Sequence, residues 1–248
     1  MRKLRLEICA DSVDSALAAA RGGAQRIELC ASLLEGGLTP SAGFIRTVRD
    51  RLPIALFVMI RPRGGDFYYS AAEYLAMKED IRIAQSLRAD GVVLGLLDPN
   101  GRVDVARTRE LVELARPLEV TFHRAFDVSA DLETSLENVI RTGANRILTS
   151  GGAQTAWEGL EQIRKLTQAA KDRIVIMAGS GINSRNVAKV IEATGVTEVH
   201  ASAKEPVASP VRTPRSLSLG RLEASFEGYT RFVASEAEVR ALAKIVSG

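Results

Sequence analysis

A closed parallel (β/α)8 barrel of the TIM type, forming a single domain over residues 1–248, is the fold this sequence predicts. Three observations carry that prediction. Short β-branched runs alternate strictly with amphipathic stretches, and strict βα alternation implies a parallel sheet because each parallel crossover needs a connecting element, usually a helix. The chain also repeats itself: RGGAQRIELC at 21–30 aligns without gaps with RTGANRILTS at 141–150, and RADGVVLG at 88–95 and ATGVTEVHAS at 193–202 follow the same plan of helix end, small residue and strand. Finally, eight such units fill 248 residues, the usual length of a ring of eight. An open doubly wound sheet is the alternative arrangement of the same units.

Taken in order, the first strand is read at 4–9, followed by the helical stretch DSALAAARG, and the second strand at 26–30. The connection ASLLEGGLTPSAG after strand 2 and RPRGGDFYYSAA after the third strand (54–60) are long for their places, and glycine-bearing loops of that length read as lids or pocket walls. EYLAMKEDIRIAQSL leads to strand 4 at 91–95, VARTRELVELA to strand 5 at 119–123, and LETSLENVIRTG to strand 6 at 146–150, each with apolar residues recurring at three and four. AWEGLEQIRKLTQAA precedes strand 7 at 174–178, and a glycine-rich turn, MAGSGINSRNV, follows it with Ser184 as the expected N-cap of the next helix. Strand 8 lies at 198–202. Beyond it, 203–234 reads as an irregular Ser, Pro and Arg rich excursion before a last helix at 235–246 capped by Ser235.

Composition narrows the function classes. With 46% hydrophobic and 25% charged residues the chain is an ordinary globular protein. Its 33 basic and 30 acidic residues intermix instead of forming a basic run, which argues against a nucleic-acid partner. The longest apolar run, IALFVMI, has seven residues, too few to cross a bilayer, and the start goes directly into a strand pattern, so a cytoplasmic location away from membranes is expected. Two cysteines in such a compartment are expected as thiols.

Strand parity gives the candidate site. If Leu6, Ile8, Ile27 and Leu29 face the helices, then Glu7, Cys9, Glu28 and Cys30 point into the barrel. The same parity turns Met59, Arg61, Thr121, His123, Leu148, Ser150, His200 and Ser202 inward, so both cysteines and both histidines of the chain fall at strand ends. A cysteine there can equally be a small packed hydrophobe. Two carboxylates in a confined space need a partner or a shifted pKa, and Arg61 and the histidines are the expected partners. Either a structural ion network or a functional pocket meets that need. Strands 1, 2 and 8 are neighbours in a closed ring, so Cys9, Cys30 and His200 can approach one another, whereas His123 lies across the mouth. At the far side, Arg124 and Asp127 follow strand 5, while Ser150, Gly151, Gly179, Ser180 and Gly181 form glycine-rich turns whose backbone N–H groups suit an anion.

Several stretches carry a family resemblance: ADSVDSALAAARGGAQRIELCASLLEGGLTPS, VMIRPRGGDFYYS, VTFHRAFD, ILTSGGAQTAWEGL, MAGSGI and EVHASA. Together, over about residues 5–204, they resemble the CutC copper homeostasis family. The resemblance implies a cytoplasmic barrel that self-associates, as a dimer, and handles copper, with Cys9 and Cys30 as candidate ligands. Thiolates suit Cu(I) and imidazole can join them, which adds His200. The tail after residue 203 departs from the family pattern. Two functions follow as expectations: Cu(I) binding at Cys9, Cys30 and His200, or an enzyme acting on a small anionic or phosphorylated substrate. In the second, Glu7, Glu28, Arg61, His123, Arg124 and Asp127 would supply acid, base and anchoring groups.

Overall fold

In a parallel strand covered by helices, alternate side chains must serve two different surroundings, and the short strands of this chain divide accordingly. The computed structural model describes residues 4–208 and 231–247. Its strands β1 (Arg5–Ala10), β2 (Arg26–Leu29), β3 (Ala55–Met59), β4 (Gly91–Leu94), β5 (Glu119–Phe122), β6 (Arg146–Thr149), β7 (Val175–Ala178) and β8 (Glu198–Ala201) pair in chain order. β8 also pairs with β1, setting Glu7 beside His200 and closing the barrel. The alternative open sheet is thereby excluded. Leu6, Ile8, Ile27, Leu29, Leu56 and Val58 are fully buried in the layer between barrel and helices. Burying one such side chain contributes roughly 1.5–3 kcal/mol.

The helices are α1 (Val13–Arg21), α2 (Ala42–Arg49), α3 (Ala71–Ser86), α4 (Val105–Ala115), α5 (Leu132–Thr142), α6 (Leu160–Ala170), α7 (Val187–Thr194) and α8 (Glu236–Ser247). Ser12, Ser41, Ser70, Asp104 and Asp131 each accept the backbone N–H three residues on, capping α1 to α5. Each cap is worth about 1 kcal/mol. At the other end of α5, Gly143 takes φ +83°, the left-handed turn that sends the chain into β6.

Three expectations about local structure are corrected. Ser184 does not cap α7: Asn186 precedes that helix, and the Ser184 hydroxyl and N–H both donate to Glu238 of α8, at 2.9 and 2.7 Å. A hydroxyl near a helix start is drawn to the stronger acceptor, here a carboxylate. The helix expected from AWEGL begins only at Leu160, because the chain first crosses the Ser150 carbonyl at Gly159, where an added Cβ would stand 1.9 Å from that oxygen. The stretch 203–234 is not irregular at its ends. β9 (Lys204–Val207) and β10 (Arg231–Ala234) form an antiparallel pair, Lys204 opposite Ala234, beside the barrel. Their wide separation in sequence hid the pairing; 209–230 lie outside the described residues. Helix α8 starts directly after Ser235, whose carbonyl accepts the Val239 N–H at 3.0 Å.

Candidate functional site

The barrel interior is charged where most are oily. Arg26, fully buried at the start of β2, ion-pairs with Glu7 on β1 and donates to Glu198 on β8 at 2.5 Å. Arg146, on the opposite strand β6, reaches the same Glu198 oxygen at 2.6 Å and Glu119 at 3.0 Å. The Phe57 ring lies between the two guanidinium groups, 4.8 and 5.3 Å from them, in space that Gly91 leaves open: a Cβ there would come within 2.5 Å of the ring. Two cations, two buried carboxylates and one aromatic face thus compensate one another across the axis.

One step toward the strand ends lies a second group. The Cys9 thiol donates to Glu28 Oε1 at 3.2 Å and stands 3.6 Å from Cys30 Sγ. His200 Nδ1 is 2.7 Å from Glu7 Oε1, so Glu7 joins the two groups and leaves Nε2 as the free ring nitrogen. One ligand atom from each of Cys9, Glu28 and His200 can be chosen so that all lie within 4.8 Å of one another. Both cysteines are free thiols.

Electrostatics separates the two carboxylates. Burial works to raise Glu7, but Arg26, the His200 hydrogen bond and Arg146 outweigh it and hold Glu7 well below the usual carboxylate range. Burial pushes Glu28 up, with Glu7 adding to the effect, and its Oε2 has no protein partner. The Cys30 contact, burial and the Glu28 charge push the Cys9 thiol well up. Burial would lower His200, yet its two carboxylate neighbours raise it overall. The result is a pocket in which Glu7 is held as the stronger acid while Glu28 and the Cys9 thiol are shifted toward holding their protons.

The remaining predicted residues fall into separate clusters. Arg61 is not the partner of Glu7 or Glu28; that expectation is corrected, since Arg26 stands nearer and on the adjoining strand. Arg61 instead donates to the carbonyls of Glu35, Gly37 and Gly65 at 2.7, 3.2 and 2.9 Å, holding the loops after β2 and β3 together. His123 is buried near it, with Nδ1 accepting the Ala125 N–H at 3.1 Å. Arg124 and Asp127 pair at 2.7 Å, and the Asp127 carboxylate also accepts from Thr149, from the Ser150 hydroxyl and N–H, and from the Gly152 N–H. That carboxylate organises the loop after β6. The glycine-rich turns are knitted similarly: Gly151 N–H donates to Thr149, Gly179 N–H to the Thr149 carbonyl, and the Ser180 hydroxyl to the Gln154 carbonyl. Ser180 and Gly181 take φ +78° and +71° in this turn.

Sequence reasoning passed over Arg26, Arg146 and Glu198. The signal was present: Arg26 and Arg146 are the second of the two arginines shared by the 21–30 and 141–150 repeat, and parity places each two residues before an inward position.

A CutC family model matches residues 4–205. A family protein CutC from Chromobacterium violaceum is 50% identical over 237 residues, covering 96% of each chain. The human copper homeostasis protein cutC homolog is 46% identical over 96% of this chain and 87% of its own. The crystal structure of a CutC protein from Streptococcus agalactiae superposes with a TM-score of 0.76 at 35% identity, covering 79% of this chain and 97% of that one. No described helix is long and apolar enough to cross a membrane. Matched over most of its length by the family model and by relatives at about half identity, this chain belongs to the CutC family.

Proposed function

We propose that this chain serves copper homeostasis by binding Cu(I) at the inward ends of β1, β2 and β8, with Cys9, Cys30 and His200 as the ligands and copper as cargo. One observation carries the reading: two thiol sulfurs 3.6 Å apart share a buried pocket with an imidazole and a carboxylate. The donor set fits the ion, since thiolate and imidazole are the soft and intermediate ligands that Cu(I) favours. The orphaned Glu28 Oε2 and the raised thiol pKa fit as well, because a cation arriving here would relieve both.

The chain's own residues define the work of binding. Cys9 must give up its proton, and Glu28 Oε1, already accepting that S–H, is the atom placed to receive it. Glu7 orients the His200 ring by holding Nδ1, which directs Nε2 toward the pocket. Arg26, fixed from the other side by Glu198, keeps Glu7 ionised for that task.

Anaerobic Cu(I) titration against a competing chelator tests the proposal. Cys9→Ser and Cys30→Ser should each weaken binding by about a hundred-fold or more, since loss of a group that merely supports a ligand already costs about 10–100-fold. Because protonated thiols must ionise, apparent affinity should rise with pH by about ten-fold per unit for each proton released. Affinity that is unchanged in both cysteine variants and flat with pH overturns the reading. The names of the relatives support a copper role, and the same test on this chain decides whether it extends here.

A further inference from the structure

Away from the thiols, and besides Thr108 Oγ1 on α4, three buried polar atoms have no close hydrogen-bond partner among the described residues: Arg61 Nε, Tyr69 Oη, whose nearest polar neighbour is the Arg61 side chain, and His123 Nε2. They are the side chains of residues 5%, 1% and 4% exposed. Orphaned donors in such positions are uncommon in folded proteins, and each costs about 1–3 kcal/mol if left without an acceptor.

All three are donors. His123 Nδ1 accepts the Ala125 N–H, and burial followed by the charge of Arg61 pushes the ring down to about 3, so the neutral ring carries its proton on Nε2. The Arg61 guanidinium has five N–H donors, Nε–H among them, and no acceptor. The Tyr69 phenol, pushed up to about 12 by burial with Arg61 opposing, keeps its proton as well.

The three residues adjoin. Arg61 lies over the Phe67 ring at 4.8 Å, and the Phe67 and His123 rings are 5.0 Å apart. The charge of Arg61 is felt at both His123 and Tyr69. Room for the imidazole is reserved by Gly95, where an added Cβ would fall 2.5 Å from His123 Nδ1. The Arg61 cation is held by three carbonyls, the Phe67 face and the Tyr69 hydroxyl; the loop carboxylate Asp66 feels its charge but pairs with Arg63 at 2.9 Å. A buried guanidinium with no ion-paired carboxylate among the described residues, beside the hydroxyl of Tyr69 and the Nε2–H of His123, describes half of an anion site. Next to it, a cleft of about 510 Å³ with Phe67 in its wall opens between the loops after β3 and β4.

We propose that Arg61, Tyr69 and His123 form a subsite for one small oxyanion, a carboxylate or phosphate group, separate from the copper ligands on β1, β2 and β8. The anion would accept from Nε, Oη and Nε2 and neutralise Arg61. Nothing in this inference depends on copper.

The test is nitrogen-15 NMR of the histidine side chains in the full chain, which has two histidines, titrated separately with inorganic phosphate and with acetate. Saturable movement of the His123 Nε2–H signal with either probe is expected, and the probe that acts identifies the oxyanion class. Tyr69→Phe removes a hydroxyl whose polar neighbour is Arg61 and leaves that cation its three carbonyls, so the fold should be kept while probe affinity falls about ten-fold, the value of one hydrogen bond to a charged group. Arg61→Lys, which keeps the charge but loses Nε–H, should also weaken binding. If neither probe moves the His123 signal saturably, or if Tyr69→Phe binds as tightly as the parent, the subsite does not exist. A fall in stability of Tyr69→Phe with unchanged affinity would likewise overturn it, by showing that the hydroxyl serves the fold.

Discussion

Arg26 has no surface exposure and still carries a full charge, so its energetics depend on Glu7 and Glu198 holding it from two sides. Removing one member of such a group leaves the others buried and uncompensated. Arg26→Met should therefore lower stability by about 3–5 kcal/mol in urea unfolding. The double variant Arg26→Met with Glu7→Gln should recover part of that loss, since the stranded carboxylate is then neutral. Losses that simply add in the double-variant cycle would show that the two groups are not coupled. The same pair governs His200: without the Glu7 charge, the imidazole loses the neighbour that contacts Nδ1, and its pKa should fall, readable by NMR titration.

At the scale of elements, the contact of α1 with α8 rests on a missing methyl group. Gly22 ends α1, and a Cβ there would stand 2.6 Å from Val239 Cβ and 3.0 Å from the Glu236 carbonyl. Its φ of −71° is one that any residue adopts, so close approach and not backbone freedom requires glycine. Gly22→Ala should cost about 1–3 kcal/mol by overpacking, seen as a lowered denaturation midpoint, and hydrogen exchange should quicken in α8 first. A neutral or stabilising outcome would mean that α8 shifts without penalty. The ion pair of Arg21 with Glu236 at 2.7 Å spans the same junction, but both groups are partly exposed and it contributes little.

Over the whole molecule, buried histidines give stability an unusual pH profile. His123 is held down to about 3 from an ordinary 6.5, so between those values the unfolded chain binds a proton that the folded one refuses, and stability falls as pH drops through that window. One proton corresponds to about 1.4 kcal/mol per pH unit at full effect. His200, raised, acts in the opposite sense: its contribution is full below 6.5 and is lost as pH rises through its folded value. Replacing His123 with Gln should flatten the acid side of the profile relative to the parent. An unchanged slope would place the proton uptake elsewhere.

The barrel itself was legible because alternation, repeat and length agree, and parity correctly sent Glu7, Cys9, Glu28, Cys30 and His200 inward. Of their partners, His200 beside Glu7 was legible and the arginine was not. Which arginine meets Glu7 depends on side-chain reach across strands, and parity treats Arg26 and Arg61 alike. The fate of Ser184 depended on α8, a helix more than fifty residues later in the chain, and of Ser150 on Asp127, so neither was readable from local sequence.

Ring closure has a consequence for synthesis. Glu7 meets His200 across 193 positions and Arg26 meets Glu198 across 172, so the first two strands leave the ribosome long before the last can reach them. A nascent chain lacking β8 holds an arginine and a carboxylate short of partners, beside open sheet edges, which makes stalled or truncated translation products natural clients for chaperones and proteases.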